Sequence, residues 1–221
     1  MAHRQIPSER RVLWAVVLPL CGIAVAVSIR RLIALADPSV LGPSPLAALD
    51  AQFAANAGLT RGHALAGLTL ALLIPLQLSA RLRVRLPALH RWIGRTLMII
   101  GIGVGLTGYA MVATPVGGPL EVSAIVFYGT ALLVSLLIGW RHIRRGNVAH
   151  HREWMVRAIA IVLGIATTRP VVAAFFATSP STQLSPSQFF GAAFWIGFTS
   201  TALAGEWYVR RTRNDRHVRG S

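Results

Sequence analysis

The sequence predicts an all-α integral membrane protein, a helical bundle that crosses the bilayer about six times. Two observations support this fold class: 54% of the 221 residues are hydrophobic while only 13% are charged, and the apolar residues form long runs separated by arginine clusters. A helix needs about 20 apolar residues to cross the hydrocarbon layer, and the runs have that length. We therefore expect the core to form between membrane helices.

The whole chain, residues 1–221, is expected to form a single transmembrane domain. The predicted spans cover residues 12–33, 60–80, 92–115, 122–140, 154–177 and 187–208. The fifth span contains Arg169 and Pro170, which a membrane helix tolerates when the cation faces protein or reaches the interface. Residues 37–59 form the longest predicted loop, with a short surface helix near residues 47–55, and residues 209–221 form a basic tail.

The distribution of arginine predicts the orientation. All 22 basic residues are arginine and there are 7 acidic residues, for a net charge of +15. With a cytoplasmic N-terminus, 18 arginines lie on the cytoplasmic side and 4 outside, so the positive-inside rule favours a multi-pass plasma (inner) membrane protein with both termini cytoplasmic. Arginines at the span ends indicate anionic lipid headgroups as partners and argue against nucleic acid.

The first apolar run allows another interpretation, a signal peptide that is removed. Two arginines precede the run, and residues 34–36 resemble a cleavage site. However, the run is long for a signal peptide, and Arg30 and Arg31 stand before that site. A retained first span is therefore favoured.

Two basic segments share a motif at the mouth of a span. One contains His90–Trp92 and the other His151–Trp154. Arg95 and Arg157 follow their tryptophans by three residues, about one helical turn. We interpret the second and third spans, and the fourth and fifth, as a duplicated helical hairpin.

These segments, with His63 near the start of the second span, resemble a bacterial family of predicted membrane proteins, domain of unknown function 2306. The strings that carry the resemblance are Leu89-His90-Arg91-Trp92-Ile93-Gly94-Arg95 and His151-Arg152-Glu153-Trp154-Met155-Val156-Arg157. The resemblance covers residues 60 to 175 and implies a multi-helix membrane protein, with no established reaction.

Histidines on different spans are candidate ligands for haem b. Such a site needs two imidazoles at matching depth, which His90 could form with His150 or His151. With haem present, we expect His90 and His151 to bind the iron, and Arg95 and Arg157 to hold the propionates. The ordinary tendency of basic residues to flank membrane spans explains the same residues without a cofactor.

Arg169 is the most costly residue to place in a membrane. It should lie about 22 Å along its helix from the cytoplasmic aromatic belt, close to the outer interface. His63, Tyr109 and Thr168 should lie at similar depth, forming an outer pocket for a quinone carbonyl, a propionate or a small carboxylate. Alternatively, Arg169 reaches the headgroups or is satisfied by carbonyl groups that Pro170 leaves free.

Three classes of function remain open. The leading hypothesis is a membrane redox or ligand-binding protein that uses haem or quinone. A small transporter or channel subunit is suggested by the hairpin repeat and the Arg169-Pro170 break. A non-catalytic subunit of a homo-oligomer or membrane complex is suggested by the glycine-rich third span. The sequence contains no phosphate loop, zinc helix or nucleophile elbow, and whether the protein is an enzyme stays open.

Overall fold

The computed structural model describes residues 7–42 and 46–218, except the side chains of residues 7–10 and 214–218. Helices make up 90% of the described residues, which contain no strand. Five of the described helices are long and apolar enough to cross a membrane. These findings confirm the prediction of an all-α membrane bundle.

Eight α-helices and one short 3-10 helix follow one another in the described chain. They are α1 (Pro7–Ala36), the 3-10 helix (Pro38–Leu41), α2 (Ala47–Ala54), α3 (Ala57–Leu78), α4 (Ala80–Arg85), α5 (Pro87–Met111), α6 (Gly118–Arg144), α7 (Val148–Thr182) and α8 (Pro186–Val218). The five helices that satisfy the spanning criteria are α1, α3, α5, α6 and α7. Helix α8 has 33 residues and packs against α6 and α7, but its crossing of the membrane stays a prediction.

Local sequence sets the ends of α3 and α5. Helix α3 ends at Leu78, two residues before the predicted end of its span, because the extended Ser79 begins a new helix. The Ser79 hydroxyl accepts a hydrogen bond from the backbone N–H of Leu82 over 3.3 Å, capping α4. Helix α5 ends at Met111 rather than residue 115. Pro115 disfavours helical backbone in the residue before it, which fits this earlier end.

The turn between α6 and α7 is short and built from two specialised residues. Gly146 adopts a φ of 72°, which glycine tolerates because it has no Cβ. The Asn147 side chain then accepts a hydrogen bond from His150 N–H over 3.1 Å and caps α7. The two basic loops of the proposed repeat thus differ, since α4 fills the first.

At the other end of the chain, α8 continues through most of the predicted basic tail to Val218. Residues 219–221 of that tail lie outside the described residues, as do residues 1–6 of the predicted domain.

Helices α7 and α8 approach each other closely at two glycines. A Cβ on Gly197 would lie 2.7 Å from the backbone nitrogen of Thr168, and one on Gly164 would lie 2.9 Å from Cα of Phe198. Contacts this short leave no room for a larger side chain without moving backbone. The two helices therefore form one tightly packed wall of the bundle.

The bundle has two distinct ends. We call the end with α2 and residues 112–117 and 183–185 the cavity end, and the end with residues 79–86 and 145–147 the basic end. Helix α2 does more than lie on the surface, because Leu49 is buried in a core cluster with Val116 and Phe190. The loop before α3 thus contributes to the interior at the cavity end.

Candidate functional site

A cavity of about 220 Å³ lies inside the bundle and extends inward from the cavity end. Seven helices contribute to its wall, namely α1, α2, α3, α5, α6, α7 and α8. Most of the lining is aliphatic, with Leu70, Ile74, Leu132 and Ile161 in its deeper part. An apolar cavity of about 150 Å³ is enough to bind benzene, so there is room here for a small organic molecule.

Arg169 brings a charge into this apolar cavity. Its side chain is enclosed by protein, and the surface that it retains lines the cavity. The Nε–H group is buried without a hydrogen-bond partner, and Arg169 forms no ion pair within the part of the chain that the structure describes. Helix α7 continues through Arg169 and Pro170 without a break. The nearest carboxylate of the cavity wall, Glu121, is close enough for the two charges to interact but forms no ion pair with Arg169. A buried cation without an ion-pair partner is costly in a membrane and marks a candidate binding site.

His63 lines the same cavity from α3. Its Nδ1 lies 2.8 Å from the Thr107 hydroxyl, which itself donates to the carbonyl of Gly103 over 2.7 Å. Thr107 therefore accepts from Nδ1–H, and the Nε2 atom of the neutral imidazole is left as a hydrogen-bond acceptor. The wall thus presents an acceptor from α3 and a donor from α7.

Glu121 is a third polar residue of the wall, and sequence reasoning missed it. It is 5% exposed, and one carboxylate oxygen accepts a hydrogen bond from Gly117 N–H over 2.6 Å. Such a carboxylate in the first turn of α6 is stabilised by the helix dipole and free backbone N–H groups. The signal in the sequence was an acidic residue two positions after Gly117-Gly118-Pro119, where a helix begins.

Helix α2 is held to the end of α1 by a cluster of charges. Asp50 accepts hydrogen bonds from both terminal nitrogens of Arg30, over 3.0 and 2.7 Å, and from Arg31 over 2.5 Å. The guanidinium of Arg31 also lies 4.1 Å from the ring centre of Phe53. We call Asp50, Arg30 and Arg31 the clasp.

Two amide side chains tie the same segment to the loop after α5. Gln52 donates to the carbonyl of Pro115 over 3.2 Å, and Asn56 donates to the Thr114 hydroxyl over 3.3 Å. Gln52, Asn56 and Thr114 all line the cavity. Helix α2 therefore covers the cavity from the end of the bundle.

The clasp also sets the ionisation of Asp50. Burial alone raises the pKa of this carboxyl, but hydrogen bonds and charge from Arg30 and Arg31 outweigh that effect and hold the pKa below its ordinary value. The clasp is therefore fully ionised at neutral pH.

The structure separates the other residues expected in the outer pocket. The Tyr109 hydroxyl lies 2.7 Å from the Thr130 hydroxyl, and Tyr109 is not part of the cavity wall. Thr168 donates to the carbonyl of Gly164 over 3.0 Å and packs against Gly197 of α8. Of the predicted group, His63 and Arg169 share the cavity.

At the basic end, His90 and His151 lie near enough for their charges to interact. His151 Nδ1 is 2.9 Å from the carbonyl of Gly139, whereas His90 Nδ1 is buried without a partner among the described residues. His150 is exposed and stacks on His142 with a ring separation of 5.1 Å. His151, rather than His150, is thus the histidine placed toward His90.

The arginines beside these histidines already have partners. Arg157 donates to Glu206 over 2.9 Å and lies 4.7 Å from the ring centre of Trp154. Arg95 lies 5.0 Å from the ring centre of Trp92. The two motifs therefore make the same cation–π contact one turn apart, as their matching spacing predicts.

These features define a multi-helix membrane protein with a mainly apolar cavity, into which Arg169 brings a positive charge. A family model described as a predicted membrane protein, domain of unknown function 2306, matches residues 60–205. The chain belongs to this family, and the match extends 30 residues beyond the range 60–175 over which its motifs indicated the resemblance. No curated protein and no solved structure matches the chain.

Proposed function

We propose that this protein binds a small amphipathic molecule, a quinone or a small organic anion, in the cavity at the outer side of a plasma membrane. The observation that carries the proposal is Arg169, an enclosed guanidinium whose Nε–H lacks a protein partner and which faces an apolar chamber. A ligand with an acceptor head would bind the part of the guanidinium group that lines the cavity, and its apolar body would fill the chamber.

The proposed topology has six spans, with both termini in the cytoplasm. Its support is the excess of arginine at the basic end, together with α8, which is long enough to cross beside α7. In this topology the cavity end faces outward. A ligand would then enter from the outer leaflet or the external solution, past α2.

The first experiment asks whether the cavity carries a ligand. The protein would be purified in a mild detergent, extracted with organic solvent, and the extract analysed by mass spectrometry beside that of Arg169→Gln. We expect one amphipathic species near one mole per mole of protein, lost in the variant. Arg61→Gln is the matched control, because Arg61 is an exposed arginine at the same end that donates to the carbonyl of Leu35.

Equal lipid content in all three proteins would argue against a specific ligand. Direct binding measurements with added probes would then decide, since a weakly bound ligand can be lost during purification.

Haem b between His90 and His151 is the second candidate, favoured by the unpartnered Nδ1 of His90 near another imidazole. The two histidines fit the donor set of a bis-histidine site, and haem would supply one-electron transfer there. Arg157, the expected propionate anchor, is already engaged by Glu206. A reduced-minus-oxidised visible spectrum of protein expressed with added haem tests this site, and a featureless spectrum would remove it.

A further inference from the structure

We infer that the ligand of the cavity is a monoanionic carboxylate with an aliphatic body, bound head-first on Arg169. This inference rests on the proposed function and specifies its ligand class. It is carried by the charge balance around the cavity, the geometry of the guanidinium group and the position of the apolar wall.

The charge balance argues for one negative charge. The charged residues at this part of the cavity are Arg30, Arg31, Arg169, Asp50 and Glu121. Asp50 is shared by both arginines of the clasp, and Glu121 is held by backbone N–H. Three cations thus face two carboxylates, which leaves one positive charge to be neutralised.

The two carboxylates also limit what can bind. A dianion such as a phosphate monoester would leave excess negative charge next to Glu121, which is costly in a low-dielectric cavity. A neutral quinone would leave the one net positive charge of this group uncompensated. A carboxylate neutralises it, and its two oxygens match the planar fork of N–H donors on arginine.

The apolar wall positions the body of the ligand. Ile161 precedes Arg169 by eight residues on α7, which is about 12 Å along the helix axis toward the basic end. Ile74 of α3 and Leu132 of α6 line the same deeper part of the cavity. A chain that extends from Arg169 toward these residues would bury its methylene groups against aliphatic side chains.

Helix α2 fits the same occupant. It covers the cavity on the side away from Ile161, where Gln52 and Asn56 contribute amides and Phe53 contributes a ring. A carboxylate head near these groups would lie at the polar side of the chamber, with its tail directed inward. Head-first binding from α2 inward is the arrangement that the lining favours.

The test is equilibrium binding of radiolabelled decanoate to the full-length protein in nanodiscs, with protein-free nanodiscs subtracted. Unlabelled decanol has the same chain without the charge, and a short-chain ubiquinone supplies a neutral acceptor head. We expect saturable binding at one site, no effective competition by decanol, and at least 30-fold weaker binding to Arg169→Gln. Arg169→Lys should bind with intermediate affinity, because it keeps the charge but loses the fork.

Arg61→Gln removes one positive charge from the same end and should bind decanoate as the unaltered protein does. A folded Arg169→Gln, judged by its elution and helical circular dichroism, with unchanged decanoate affinity would overturn the inference. So would equal competition by decanol.

A third result separates this inference from the proposed function. Ubiquinone binding is therefore also measured directly, with labelled ubiquinone. Arg169-dependent binding of ubiquinone without decanoate binding would overturn the inference of a carboxylate ligand and leave the proposed amphiphile site standing. If none of the three probes bound saturably, the proposed function would fail as well.

Discussion

At the two ends of the bundle, Arg157 and Arg169 differ in whether they have an ion-pair partner. At the basic end, Arg157 pairs with Glu206 and stacks on Trp154, and Arg213 pairs with the buried Glu153. At the cavity end, Arg169 is enclosed and its Nε–H is unpartnered within the described structure. The difference separates arginines that are paired inside the chain from one that is buried without an ion-pair partner among the described residues.

The largest expected effect tests this contrast directly through stability. In ligand-free protein, Arg169→Leu should raise the free energy of unfolding by about 2 kcal/mol, because it removes a buried unpaired cation. Arg157→Leu should lower it by about 1 kcal/mol, because Glu206 loses a partner but keeps Arg210. Thermal unfolding followed by circular dichroism in one detergent measures both. Destabilisation by Arg169→Leu would mean that the protein itself satisfies this cation.

The second prediction introduces into the cavity an ion pair of the kind found at the basic end. Glu206 and Arg210 form an ion pair four residues apart on α8, and Ile165 stands four residues before Arg169 in the cavity wall. We expect Ile165→Glu to occupy Arg169 and to weaken decanoate binding at least tenfold. Ile165→Gln has the same size without the charge and should weaken it less than threefold. Similar losses in both variants would point to shape rather than charge.

The third prediction concerns the clasp and pH. Because the folded-state pKa of Asp50 is below its ordinary value, the clasp contributes stability above the ordinary carboxyl pKa of about 3.9. That contribution, about 1 kcal/mol, is lost as the pH falls through the folded-state pKa. Hydrogen exchange of the α2 amides, corrected for intrinsic rates, should therefore accelerate below pH 4. The α2 amides of Asp50→Asn should exchange faster than those of the unaltered protein already at neutral pH. The difference between the two proteins should shrink as the pH falls below 4, and a difference that stays constant with pH would contradict the prediction.

The smallest effect is predicted for Arg95. Arg95→Gln removes a cation–π contact with Trp92 and should lower the free energy of unfolding by about 0.5 kcal/mol. It should leave ligand binding at the cavity unchanged, since Arg95 lies at the opposite end. A loss of binding would show that the two ends are coupled.

The sequence was sufficient for the fold because apolar runs and arginine clusters encode membrane helices directly. It also indicated Arg169 and His63, since a charge and an imidazole inside apolar runs stand out. It could not indicate that Tyr109 forms a hydrogen bond with Thr130, or that Thr168 donates to the carbonyl of Gly164. Those partners depend on the rotation of each helix, which residue depth alone does not determine.

Glu121 and the clasp were missed for a different reason. Glu121 lies in the first turn of its helix, where acidic residues are common, so its position alone did not mark it as unusual. Its burial results from the packing of α6 against its neighbours, which the sequence does not show. Asp50 contacts arginines 19 and 20 residues away in sequence. No periodic pattern connects the loop after α1 to the cavity that it covers.

The cavity is formed by two parts of the chain, of which one lies inside the segment that matches the family model and the other precedes it. Residues 60–205, the matched segment, supply His63, Glu121 and Arg169, whereas α1 and α2 precede that segment. The charged wall residues of α6 and α7 and the cover formed by α2 therefore come from different parts of the chain. Because α1 and α2 precede the matched segment, variation in these two helices would change the cover and the clasp while His63, Glu121 and Arg169 stay in the wall.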